Sequence, residues 1–298
     1  MRILITGGTG LIGRALCRAL LQNDHQLTVL SRHPESVAQK CGAGVKSLAR
    51  LTDWDDSMCF DAVINLAGEP IVDAHWSDAR KKMLWDSRVT LTQTLVKRIA
   101  QHPHRPAVLL SGSAVGYYGD CSDQGLDESA AAGTDFPAQL CAAWELEAMQ
   151  AAAVGLRVCL LRTGLVLSSD GGILQKMLLP FKLGLGARLG DGKQGMSWIH
   201  IDDYVAIVLM LLTNEQAHGA VNMTAPQPVT NREFTATLAA TLHRPAWFVA
   251  PAALLGLALG DRKVLLLGGQ NVLPRKVQEL GFIFRHPRFD SALRALLV

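Results

Sequence analysis

Residues Met1–Gly13 (MRILITGGTGLIG) place Gly7, Gly10 and Gly13 at three-residue intervals between an apolar strand and an amphipathic helix. A glycine turn of this kind lets the backbone approach a pyrophosphate closely. The helix N-terminus beyond it offers unpaired N–H groups and a partial positive charge. Gly7, Thr9, Gly10, Leu11, Ile12 and Gly13 are the expected contacts to a dinucleotide. Epimerisation or reduction beside such a turn usually draws on a Tyr-x-x-x-Lys pair on a later helix. Residues i and i+4 share a helix face, and the lysine cation lowers the tyrosine pKa from about 10. The three tyrosines are Tyr117, Tyr118 and Tyr204, and four residues on from them stand Cys121, Ser122 and Val208. The pair is absent, so the sequence is more explicit about what is bound than about what is done.

The end of the second strand selects the nucleotide. NAD binding commonly uses an Asp or Glu there, about 20 residues past the glycines, to hold the ribose 2′-hydroxyl. This chain has Ser31-Arg32-His33 instead. A carboxylate would repel a 2′-phosphate, whereas the planar fork of Arg32 can pair with one, which points to NADP(H). The alternative is a solvated arginine at a strand end. After the next strand, Leu66, Ala67 and Gly68 are small enough to leave room for adenosine and ribose. Arg88, late in the following helical stretch, could reach the phosphates or be an ordinary helix charge.

These residues need a scaffold. Apolar runs at Arg2–Thr6, Gln26–Ser31, Asp61–Leu66, Ala107–Ser111 and Leu156–Arg162 read as strands. Leu11–Gln22, Trp76–Gln101 and Pro137–Ala153 read as the helices between them. The alternation predicts an α/β fold with a doubly wound parallel sheet. Residues 168–195 form a glycine-rich insertion, and Ser197–Thr213 reads as a short strand running into a helix. The expected division is a nucleotide-binding domain over residues 1–222 and a small C-terminal α/β substrate domain over 223–298, with helices at Glu233–Leu242, Pro274–Leu280 and Ser291–Leu297.

Composition narrows the function classes. The 298 residues are 49% hydrophobic and 18% charged, which describes a globular chain. A net charge of +3 with no basic run gives no ground for nucleic acid or an anionic membrane. Pro245–Gly260 is apolar but shorter than the roughly 20 residues that span a bilayer, and reads as a core helix. The six cysteines lie far apart, with no zinc spacing, so no metal is expected. Reduced thiols and the lack of a secretory pattern fit a cytoplasmic protein, monomer or homodimer.

Gly7–Gly13, Asn65–Gly68 (NLAG), Ser111–Gly119 (SGSAVGYYG) and Trp198–Asp203 (WIHIDD) resemble the extended short-chain dehydrogenase/reductase superfamily over about the first 220 residues. With Asn222–Glu233 (NMTAPQPVTNRE), Gly268–Pro274 (GGQNVLP) and Gly281–Phe284, the whole chain is similar to its atypical, YfcH-like, NAD(P)-dependent epimerase/dehydratase branch. The resemblance implies a Rossmann-like core and NADP(H). It makes Ser31 and Arg32 the NADP-selecting pair, puts Leu66 and Ala67 along the adenine and ribose, and makes Arg88 a cofactor contact. Ser111, Arg162, Thr163, Gly164 and Val166 are added as cofactor positions near the nicotinamide. Ser113 matches a serine that hydrogen-bonds substrate. Plant relatives of the branch are associated with plastid division, which by analogy suggests a division or scaffold factor.

The family's Tyr-x-x-x-Lys helix aligns with Pro137–Ala148, which puts Cys141 at the tyrosine and Glu145 at the lysine. A carboxylate one turn from a thiol raises the thiol pKa above about 8.5. Cys141 also reads as a small buried hydrophobe. Ser113 and Tyr117 remain as weak catalytic candidates, with Tyr118, His200 and Asp202 behind them. Asp202 could equally cap the helix that follows, and Tyr117 could be an aromatic cover. Lys176 and Lys193 could meet an anionic substrate or be solvated, and Trp198 is expected to pack beneath the site. Two functions follow: an NADP(H)-dependent oxidoreductase or epimerase of a small polar substrate, or a non-catalytic NADP(H)-binding redox sensor or regulator.

Overall fold

In the computed structural model, which describes residues 1–297, strands and helices alternate from the first residues onward. The first half of the sheet is β1 (Arg2–Thr6), α1 (Leu11–Gln22), β2 (Gln26–Leu30), α2 (Val37–Cys41) and β3 (Lys46–Leu48). The second half opens with β4 (Ala62–Asn65), α3 (Asp78–Trp85) and α4 (Leu91–Gln101). It continues through β5 (Val108–Ala114), β6 (Cys121–Leu126), α5 (Phe136–Met149) and β7 (Arg157–Thr163). The glycine-rich stretch holds β8 (Leu165–Leu167), α6 (Gly172–Lys182), β9 (Ala187–Leu189) and β10 (Gly195–Met196). Then come β11 (Trp198–His200), α7 (Ile201–Thr213) and β12 (Gly219–Met223). The C-terminal part adds β13 (Val229–Thr230), α8 (Asn231–Thr241), β14 (Phe248–Ala250), α9 (Ala252–Leu259), α10 (Val264–Leu267), β15 (Gln270–Val272), α11 (Arg275–Glu279) and α12 (Phe289–Leu297).

Seven strands form one parallel sheet in the order β12-β7-β5-β4-β1-β2-β3. The order reverses between β1 and β4, which opens a crevice beyond their C-terminal ends. Alternation along β1 divides the core: Ile3 and Ile5 join Leu16, Leu20, Ile207 and Leu211 on one face. Leu4 joins Leu95, Ile99, Leu109 and Ala148 on the other. A smaller core, Leu167, Leu174, Phe181, Trp198, Phe234, Leu238 and Phe289, unites the glycine-rich stretch with α8 and α12. Trp198 packs in this smaller core. β15 pairs with β6 and ties this smaller α/β part to the sheet's C-terminal edge.

Three sequence expectations change. The single helix over Trp76–Gln101 is two helices joined by a π turn at Asp86–Thr90, and it starts only at Asp78 because the Ser77 hydroxyl caps α3. The helix over Pro137–Ala153 gives way to a 3-10 turn at Gln150. The expected core helix at Pro245–Gly260 is instead β14 followed by α9, and α9 has no buried residue. Trp247 is 85% exposed and Leu257 86%. Hydrophobicity without an amphipathic stripe left the burial of this stretch undetermined.

Candidate functional site

The glycine turn lies over the C-terminal end of β1. Gly7 has φ +71°, and a Cβ there would lie 2.6 Å from the Leu66 carbonyl carbon and oxygen. A Cβ at Gly13 would lie 2.3 Å from the Gly7 carbonyl oxygen, so helix and turn meet only because position 13 has no side chain. Gly10 meets nothing closer than 3.3 Å and opens toward the crevice. It also precedes α1, whose N-terminus has no side-chain cap and no acidic residue in its first turn. Those N–H groups are free to meet an anion.

A groove of about 620 Å³ runs from this turn between the ends of β2 and β4. Of the expected contacts, Gly7, Thr9, Gly10, Ser31, Arg32, Leu66, Ala67 and Gly68 line it. Its size and glycine floor fit a dinucleotide's adenosine half. A cavity of about 670 Å³ at Arg2, Gln26 and Lys46 lies at the opposite, N-terminal ends of the strands. Ligands of open α/β sheets bind at the other end.

Buried hydrogen bonds shape the floor. The Thr6 hydroxyl donates to Asn65 Oδ1 (2.6 Å) and accepts from the Ala67 N–H (3.1 Å). Asn65 Nδ2 donates to Thr92 Oγ1 (2.8 Å) and Ser111 Oγ (3.2 Å). Ser111 is fully enclosed beneath the groove floor. The side chains of Ile12 and Val166 pack against the core beside α1 and α7. Leu11 sits against Gly171 and Gly172 of the glycine-rich stretch.

Arg88 lies beneath the groove on the π turn. It donates to the Glu69 carbonyl (2.9 Å) and the Leu84 carbonyl (3.4 Å), and its guanidinium lies 5.5 Å from the Trp144 ring centre. Burial lowers its pKa from 12.5, while the charge of Glu69 opposes the shift. Arg32 lies at the rim and pairs with Glu69 at 2.9 Å.

At the ends of β5 and β7 lies a second polar cluster. Ser113 Oγ donates to Glu145 Oε1 (2.6 Å). Arg162 reaches the same carboxylate at two points, Nε to Oε1 and Nη2 to Oε2, both 2.9 Å. Arg162 Nη1 donates to the Tyr118 hydroxyl (2.9 Å) and the Glu128 carbonyl (3.2 Å). Tyr118 in turn donates to Asn222 Oδ1 (2.6 Å). All three guanidinium nitrogens of Arg162 thus have protein partners. No sequence signal marks this: Arg162 follows the buried Leu161 along β7, and spacing alone does not say which way it turns. Thr163 Oγ1 bonds to the Leu161 carbonyl and the Tyr204 hydroxyl, and Gly164 packs against the Ser197 carbonyl.

The pKa shifts follow from burial. The Cys141 thiol is pushed up to about 12, by burial first and by Glu145 second. The i, i+4 spacing alone points to Glu145 as the main cause, but Arg162 neutralises that carboxylate. Burial lowers the pKa of Arg162, but hydrogen bonds and charge from Glu145 more than offset this and raise it. Burial raises Tyr118 and takes Tyr204 to about 12. Of the three phenols only Tyr117 is not fully enclosed, and the Arg162 guanidinium lies 3.5 Å from its ring centre.

His200, rather than Asp202, caps α7: its Nδ1 accepts the Asp202 N–H at 3.1 Å. Its ring stacks on His286, with centres 3.8 Å apart. His200, Asp202 and His286 are the one group among the described residues close enough to share a metal ion. The cap takes the His200 Nδ1 lone pair, which weakens any case for a ligand there. Lys176 is paired with Asp73 at the surface (2.6 Å).

Residues 3–224 match the NAD dependent epimerase/dehydratase family. The chain belongs to this family. Its residues 250–296 match a C-terminal domain described as DUF1731, a domain of unknown function. Among its epimerase-family relatives, the protein Mb2239 of Mycobacterium bovis is 40% identical over 98% of this chain and 96% of its own. The chloroplastic SDR39U1 homologue of Arabidopsis thaliana is 39% identical over 100% of this chain and 87% of its own. The crystal structure of human epimerase family protein SDR39U1 with NADPH superposes with a TM-score of 0.87, at 34% identity over 99% of both chains. No helix among the described residues is long and apolar enough to cross a membrane.

Proposed function

We propose that this epimerase-family chain binds NADP(H) and acts as an oxidoreductase or epimerase on a small polar substrate. One observation carries the nucleotide assignment: the residue that follows β2 on the groove rim is Arg32, where NAD binding commonly uses a carboxylate. The NADPH held by the human relative supports it. Bound nucleotide would supply hydride chemistry. The chain's own part is to seat the diphosphate on Gly7–Gly13, pair the 2′-phosphate with Arg32 and present a proton at the Tyr117 hydroxyl. Arg162, against the Tyr117 ring, favours the electron-rich phenol face. Six free cysteines fit a reducing compartment such as the cytoplasm.

A second reading, binding without turnover, draws on Glu145. Where family members carry the lysine, this chain has a carboxylate already engaged by Arg162 and Ser113. Calorimetry with NADPH and NADH tests the first step. NADPH binds more tightly, and Arg32→Ala removes the preference; equal affinities in the parent protein would sink the assignment. NADPH oxidation across carbonyl compounds and nucleotide sugars then separates the readings. Turnover that Tyr117→Phe suppresses supports the enzyme, and a silent screen with intact NADPH binding supports the regulator.

A further inference from the structure

Arg32 follows β2 and Glu69 follows β4, and these strands flank β1 on opposite sides. Their side chains nonetheless meet, Nη2 to Oε1 at 2.9 Å. Two strand spacings come to roughly 10 Å, so this ion pair crosses the mouth of the groove above the glycine turn. The partners differ in freedom. Arg32 is 84% exposed and Glu69 only 19%. The Glu69 backbone is pinned on both sides: its N–H donates to Ser87 Oγ (3.1 Å) and its carbonyl accepts from Arg88 (2.9 Å). Its second carboxylate oxygen lies 3.8 Å from Arg80 Nη1. Glu69 is thus a fixed anion on the groove wall, and Arg32 a solvated cation drawn to it.

We propose that Glu69 is a specificity-determining residue that competes with the 2′-phosphate of NADP(H) for Arg32. This rests on the NADP(H) reading above. To pair with a 2′-phosphate, Arg32 must leave Glu69 or be shared with it, and the arriving dianion meets the carboxylate at short range. Arg80 stays behind to balance Glu69 once Arg32 has moved. A nucleotide with a bare 2′-hydroxyl makes no demand on Arg32 and triggers no exchange. Glu69 therefore lowers the affinity for NADP(H), leaves that for NAD(H) unchanged and narrows the gap between them.

The test is calorimetric titration of NADPH and NADH into the full chain and its Glu69→Gln, Glu69→Ala, Arg32→Ala and Arg32→Ala/Glu69→Gln variants. Removing the carboxylate tightens NADPH binding roughly two- to fivefold, the range expected for an exposed ion pair, and does not tighten NADH. The gain vanishes in the Arg32→Ala background. The pinned backbone keeps the turn in place, and unchanged melting of both Glu69 variants verifies it. If the parent protein prefers NADPH but both Glu69 variants bind it equally or more weakly, the competition is refuted while the nucleotide assignment stands. If the parent protein shows no preference, the assignment fails and this inference with it.

Discussion

Glu145 and Arg162, on α5 and β7, form a two-point ion pair at 2.9 Å in a site sealed from solvent. The carboxylate also accepts from Ser113 and the guanidinium donates to Tyr118, so the remaining polar positions are largely filled. A buried pair of this kind adds little stability over an apolar replacement, but losing one partner strands a charge. Glu145→Ala should cost about 3–5 kcal/mol, because Arg162 loses its counter-ion. Glu145→Leu/Arg162→Met should cost clearly less than Glu145→Ala alone. Urea unfolding of the three proteins checks the order, and a double variant as unstable as the single would contradict it.

What the sequence exposed and what it hid divide along one line. Gly7–Gly10, Ser31–Arg32 and Leu66–Gly68 stand out in the sequence as short segments of set spacing, and the fold brings them to one groove. The strands β1, β4, β5 and β7 were legible because buried parallel strands are continuous apolar runs. The Arg32–Glu69 pair was not, since the two meet only once β2 and β4 flank β1; Glu145 was legible one turn from Cys141, but its partner Arg162 was not. The surroundings of Ser111 and Arg162 were hidden too: a residue at a strand end can face the crevice or the interior, and sequence alone does not say which. The α9 stretch failed differently, because an all-apolar helix carries no record of which face is covered.

Thiol reactivity should follow burial. Cys121 is exposed, whereas Cys17 and Cys141 are buried with pKa pushed up to about 12. The thiolate is the reactive form. Iodoacetamide at pH 8 should label Cys121 first and leave Cys17 and Cys141 untouched until the protein unfolds. Peptide mapping by mass spectrometry reads this out, and labelling of Cys141 in folded protein ahead of Cys121 would show that the site is open.

His200 makes stability depend on pH. Burial lowers its pKa from 6.5; His286 and Arg285 act in the same direction, Asp202 and Asp203 oppose it. The unfolded chain then binds the proton more readily than the folded one, so stability is full above about 6.5 and falls as pH drops toward the lower folded value. Protonation also removes the lone pair that accepts the Asp202 N–H. His200→Asn keeps a good cap without the titration. Urea midpoints from pH 7.5 to 5 should fall less for this variant than for the parent protein; parallel curves would remove His200 as the cause.

The approach of α1 to the glycine turn depends on position 13. An added methyl would lie 2.3 Å from the Gly7 carbonyl oxygen and 2.6 Å from Gly8 Cα, both backbone atoms that cannot swing aside. Gly13→Ala should destabilise by about 1–3 kcal/mol, as overpacking does. NADPH affinity should fall with it, since the shift displaces the N–H groups at the start of α1. Gly44→Ala is the control, because a Cβ there meets nothing within 4 Å. Equal melting and equal nucleotide binding for the two variants would show that the turn has slack.

Restoring the missing pair should fail. Cys141→Tyr/Glu145→Lys recreates Tyr-x-x-x-Lys on α5, but Cys141 is buried and a phenol ring is far larger than a thiol. The introduced lysine would then stand where Glu145 now meets Arg162, placing two cations side by side in a buried site. The double variant should lose more than about 3 kcal/mol through the stranded Arg162 charge alone, with overpacking added. Adding Arg162→Met should recover part of that loss by removing the like charge. Urea unfolding of the parent protein, the double and the triple variant tests the argument. A double variant as stable as the parent would mean that the Glu145–Arg162 pair is not what keeps the tyrosine and lysine out of this site.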